Sequence, residues 1–134
     1  MMDFSLRIDF EKGASPPTGE YVRGWASVIE KDGAQVIDHE GHTIGMDELT
    51  QAAHQFVADS REGHVYHGGE RVGSVVESVL VDESFAKALG VADTRRGWWV
   101  GMQIHDQGIR DRIASGELRA FSIGGSAVLE EVAP

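Results

Sequence analysis

Phe4, Leu6, Ile8 and Phe10 alternate with Ser5, Arg7, Asp9 and Glu11. This is the period of two that gives a strand one apolar face and one wet face. Ser15-Pro16-Pro17-Thr18-Gly19 ends the run, because neither proline can donate to a ladder. Further strands are predicted at Tyr21–Ile29, with a bend or bulge at Gly24, at Val72–Val81, at Gly97–His105, at Leu118–Ile123 and at Ala127–Val132. Gly124-Gly125 separates the last two as a turn. Residues 31–46 read as a long loop with a short strand at Gln35–Ile37, and 60–69 as a loop leading into a short strand around His64–His67. Glycine is in excess, 17 of 134 residues, or about 13% against the usual ~7%. Tight turns and close backbone approaches account for such an excess.

Three helices interrupt the strands. Asp47 is placed as the N-cap of the first, whose Leu49, Ala52, Ala53, Phe56 and Val57 share one face. Asp82 or Ser84 opens the second, which Gly90 ends, and Asp106 opens the third, which Gly116 ends. With no repeat and no interior linker, residues 1–134 read as a single domain. Strands dominate, so the expected fold is α+β and β-dominated: a small closed or nearly closed β-barrel of six or seven strands, with about three short helices around it.

Composition removes several function classes. There is no cysteine, hence no disulfide, thiolate metal site or cysteine nucleophile. Twelve basic against 22 acidic residues leave a net charge of −10, without the basic face that nucleic-acid phosphates require. No apolar run approaches the ~20 residues of a membrane span. The start, MMDFSLRIDFEKG, lacks the basic and then apolar segments of a signal peptide. Neither a nucleic-acid nor a membrane partner is expected.

Six histidines remain to be placed. His54 sits off the apolar helix stripe and reads as a surface residue, and His105 ends the tryptophan-bearing strand beside Asp106. His39/His42 and His64/His67 form two H-x-x-H pairs. Glycines surround both pairs and no H-E-x-x-H helix is present, so a metal-dependent hydrolase built on them, with Asp38 or Glu40, is the weakest reading. No cofactor or metal is expected. Among the serines, Ser122 stands apart, at the end of the apolar strand Ala120-Phe121-Ser122-Ile123 and before Gly124-Gly125. Backbone N–H groups of Ile123, Gly124 and Gly125, turned back by the glycines, have the character of an oxyanion hole. A plain strand serine before a turn is the alternative. The G-x-S-x-G elbow is absent, since position 120 is alanine.

The ordered segments Gly63-His64-Val65-Tyr66-His67-Gly68-Gly69, Val72-Gly73-Ser74-Val75-Val76-Glu77-Ser78, Gly97-Trp98-Trp99-Val100-Gly101-Met102 and Ser115–Gly125, with Gly24-Trp25-Ala26-Ser27-Val28, resemble the XkdF-type phage prohead proteases. These are distant relatives of the herpesvirus assembly protease. The resemblance covers roughly residues 20–128. It implies a serine endopeptidase that cleaves scaffold and major capsid proteins inside the immature phage head, in the cytoplasm of the bacterial host, and that works as a homo-oligomer, a dimer. By position it places the nucleophile at Ser122 and the base at His67, with His64 the neighbouring register. Glu77 is the first choice for the third triad member; Glu130, Asp106 and His105 are the alternatives. The rival reading is a catalytically inactive head-morphogenesis or scaffold-interaction domain on the same fold.

Overall fold

The computed structural model describes residues 2–37, 43–59, 62–64 and 71–127, with backbone alone at 2–5, 62–64 and 125–127. Seven strands and three helices follow in the order β1 (Met2–Asp9), β2 (Tyr21–Lys31), β3 (Ala34–Gln35), α1 (Met46–Asp59), β4 (Glu62–His64), β5 (Arg71–Val81), α2 (Glu83–Leu89), β6 (Arg96–Ile104), α3 (Gln107–Ala114) and β7 (Ala120–Ala127). The strands form one antiparallel sheet in the order β1-β7-β4-β5-β6-β2-β3. The α+β, β-dominated class expected from the sequence is the class observed.

Alternation decides which side of the sheet is dry. On β6, Trp98, Val100, Met102 and Ile104 are all buried; so are Val22 on β2, Ile8 on β1, and Phe121 and Ile123 on β7. Helix α1 covers this face with Leu49, Ala52, Ala53 and Phe56, and the Phe56 ring meets Trp98 edge-on at 5.6 Å and 71°. Between these residues Tyr21, Arg23, Trp25, Trp99, Gln103 and Ser122 point the other way.

Among the described residues the sheet does not close into the expected closed or nearly closed barrel. Beyond the ladders, β1 reaches β2 through one isolated bridge, Phe10↔Gly24, and a Glu11 N–H to Arg23 C=O bond of 2.9 Å. The chain leaves β1 at Asp9 and runs through Pro16-Pro17, which cannot extend a ladder. Gly24 is needed at that meeting point, because a Cβ there would fall on the Asp9 carbonyl oxygen. The bulges in β2 lie further on, between Trp25 and Ser27 and between Val28 and Glu30.

Two other expectations are corrected. Lys31↔Ala34 pairing makes β2–β3 a two-residue hairpin, with Asp32 (φ 54°) and Gly33 (φ 79°) both left-handed. Asp-Gly is the strongest short hairpin signal, and it stood inside the segment read as loop. Helix α1 begins at Met46, so Asp47 lies within its first turn rather than capping it. The other helix ends match: Asp82 accepts from the Phe85 N–H, Asp106 accepts from the Gly108 N–H, and Gly90 is left-handed at φ 67°.

Candidate active site

Ser122 sits half-buried on the outward side of β7, between buried Phe121 and Ile123. Its cross-strand partners are Arg7 on β1 and His64 on β4. Directly opposed residues of an antiparallel pair have Cα atoms roughly 4.5–5.5 Å apart. The sheet thus brings the backbone of His64 beside the serine, across 58 positions of sequence. His67 lies outside the described residues, as do His39, His42 and Glu130.

The turn on which the oxyanion reading rested is not there. Strand β7 continues through both glycines, with Gly124 paired to Ser5, Gly125 to Phe4, and Ile123 to Leu6 and Gly63. Glycine weakens a strand but does not end it when a neighbouring strand, here β1, supplies ladder partners. The expected second strand, Ala127–Val132, is outside the described residues apart from Ala127, which closes β7.

Glu77 is occupied by a different partner. Both its carboxylate oxygens accept from the Arg23 guanidinium, at 2.7 and 2.9 Å. This hydrogen-bonded pairing holds the Glu77 carboxyl below its ordinary pKa against partial desolvation, and the Arg23 pKa is correspondingly raised. Among the described residues, the partner of the Glu77 carboxylate is Arg23.

The pair straddles β6, since Glu77 and Arg23 both register with Gly101. A Cβ at Gly101 would lie 2.1 Å from Glu77 Oε1 and 3.0 Å from its Cβ, closer than atoms can approach without a shift. Gly101→Ala is therefore expected to destabilise the protein by about 1–2 kcal/mol, typical of overpacking. In a Glu77→Ala background the cost should fall by at least half, as coupled neighbours require. Equal costs in both backgrounds, measured by denaturant unfolding, would show that the clash lies elsewhere.

The remaining alternatives for a third triad member are fixed locally. Asp106 Oδ1 caps α3 through the Gly108 N–H at 3.0 Å. His105 lies just past β6; its N–H donates to Val72 C=O at 2.9 Å, and its Nε2 is 2.9 Å from Ser74 Oγ. The Ser74–His105 contact was not anticipated from the sequence, because 31 residues separate the two and only the β5–β6 register joins them. At the other end of the outward face Trp25 and Trp99 pack edge-on, 5.3 Å apart. Arg95 lies over Trp25 and pairs with Glu11 and Asp93. Hydrogen bonds from Arg95 pull the Asp93 carboxyl down to about 2.

Comparison with known proteins adds what geometry does not. Residues 27–131 match the family Peptidase_S78_2, described as "Putative phage serine protease XkdF". The chain is 28% identical over 138 residues to the phage-like element PBSX protein XkdF of Bacillus subtilis, covering 93% of this chain and 49% of that protein. It is 30% identical over 94 residues to the uncharacterized protein YqbD of the same bacterium, covering 68% of this chain and 28% of that protein. The chain thus spans about half the length, or less, of these relatives. No solved structure matches it. With the family model covering most of the chain, this protein belongs to the XkdF family of phage serine proteases.

Proposed function

We propose that this chain is the peptidase domain of a phage-head serine endopeptidase, acting on scaffold and major capsid proteins during prohead maturation in the bacterial host, as a dimer. The observation that carries the reading is the placement of Ser122: outward-facing, half-buried, and in register with the histidine-bearing strand β4, in a chain of a serine-protease family. In the proposed mechanism Ser122 Oγ attacks the peptide carbonyl. An imidazole of the 64–67 segment takes the serine proton and passes it to the leaving amine. His67 is the base by family position; His64, whose backbone faces Ser122, is its competitor. Glu77, whose carboxylate is held across β6 by Arg23, is the proposed third member of the triad, with Glu130, Asp106 and His105 as its alternatives. The oxyanion donors are backbone N–H groups of Ile123, Gly124 and Gly125, where β4, ending its pairing at Gly63 and His64, leaves part of the β7 edge without a ladder partner among the described residues.

A non-catalytic morphogenesis domain is the second reading. It is favoured by one observation, the continuation of β7 through the two glycines without the turn that an oxyanion pocket would use. The test is co-expression of the full chain with the phage scaffold and major capsid proteins, followed by mass mapping of the products. Cleavage by the wild type that is lost in His67→Gln and kept in His64→Gln assigns the base to His67, and the reverse result assigns it to His64. Cleavage retained in both variants removes the serine–histidine mechanism. No cleavage by the wild type supports the second reading.

A further inference from the structure

Ser74 and His105 have the contact that serine acylation uses, at a place separate from Ser122. Ser74 Oγ stands 2.9 Å from His105 Nε2, and an Arg71 guanidinium N–H points at the same oxygen from 3.4 Å. Arginine can only donate. It therefore occupies a lone pair of Oγ and leaves the serine proton for Nε2 when that nitrogen is unprotonated. Ser74 is half-buried on the outward side of β5, whereas His105 is exposed just past the end of β6. The arrangement is held by backbone: Ser74 registers with Gln103, and the His105 N–H is bonded to Val72 C=O. Gln103 also lines an open cavity of about 450 Å³ with Tyr21, Arg23, Val76, Glu77 and Arg110. Ser74 is thus cross-strand from a residue that lines a recess of the size of an acyl side chain.

We propose that Ser74 and His105 are a second reactive serine–histidine pair, acylated at Ser74 Oγ by carboxylic esters or peptide carbonyls with His105 Nε2 as the base. The Oγ–C bond forms as the acyl carbon's bond to its leaving oxygen or nitrogen breaks. The serine proton passes to Nε2 and from there to the leaving group, and water later releases the acid and restores the serine. Nothing in this depends on the role of Ser122.

A fluorophosphonate is the probe: an Oγ–P bond forms, the P–F bond breaks, and His105 takes the proton as fluoride leaves. Trypsin separates the two sites of the labelled full chain. Ser74 lies in the peptide Val72–Lys87 and Ser122 in the peptide beginning at Ala120. The expected result is an adduct localised by fragmentation to Ser74. It should be absent in Ser74→Ala and form at least tenfold more slowly in His105→Gln, with the rate at Ser122 the same in all three proteins. No adduct at Ser74 in the wild type, or an undiminished rate in His105→Gln, overturns the proposal. Failure of the Ser122 reading shows separately, as no adduct in the second peptide.

Discussion

Ser122→Ala is expected to reduce cleavage of the head proteins by about 10⁴-fold or more, the scale on which removal of a serine nucleophile acts. Stability should change by no more than about 0.5 kcal/mol, as for other substitutions away from a core. The physical ground is that alanine keeps Cβ and the strand backbone, while the lost oxygen stands on the half-exposed outward side of β7. Buried Phe121 and Ile123, which anchor that strand, are untouched. Cleavage rates and urea midpoints of both proteins are the measurements. A loss of activity smaller than tenfold would displace Ser122 as the nucleophile. In that event Ser74→Ala becomes the informative variant, because Ser74 Oγ lies 2.9 Å from an imidazole nitrogen, that of His105.

Trp98→Ala is expected to cost about 3–5 kcal/mol, as for other aromatic-to-alanine truncations in cores. That is a large part of the ~5–15 kcal/mol total stability of an ordinary domain. Trp98 is fully buried, holds the α1 helix to the sheet through Phe56, and donates its indole N–H to Ser78 Oγ at 2.8 Å. Truncation leaves a cavity at the helix–sheet interface and a hydroxyl without its donor. Trp99→Ala, one residue away on the outward side and only half-buried, should cost less than half as much. Chemical denaturation of both variants checks this. Similar losses for the two tryptophans would mean that the sheet does not present its dry face to α1.

Much of the local structure was legible because it rests on short-range causes. Alternation marked β1, a β-branched run marked β5, and the tryptophan-bearing apolar strand marked β6. Two aspartates capped α2 and α3 where their side chains could reach the nearby N–H groups. The helix stripe of Leu49, Ala52, Ala53 and Phe56 named the residues that α1 buries. Failures came where a local signal was ambiguous. Gly124-Gly125 looks like a turn to the sequence, yet becomes strand once β1 lies alongside to receive it. The Arg23 partner of Glu77 was not legible either, because it lies 54 residues away, across a glycine whose lack of a side chain makes room for the carboxylate.

From the amino-acid order alone came the β-dominated class, the acidic character, the faces of the strands and helix α1, and the singling out of Ser122. Tertiary structure alone decided the strand order, the absence of a closed barrel, the seating of His64 opposite Ser122, the Arg23–Glu77 clamp and the Ser74–His105 contact. The division follows from distance along the chain. Periodicity and capping act within a few residues and leave their mark in the sequence, whereas the pairing of strands separated by tens of residues depends on which surfaces meet when the core is buried.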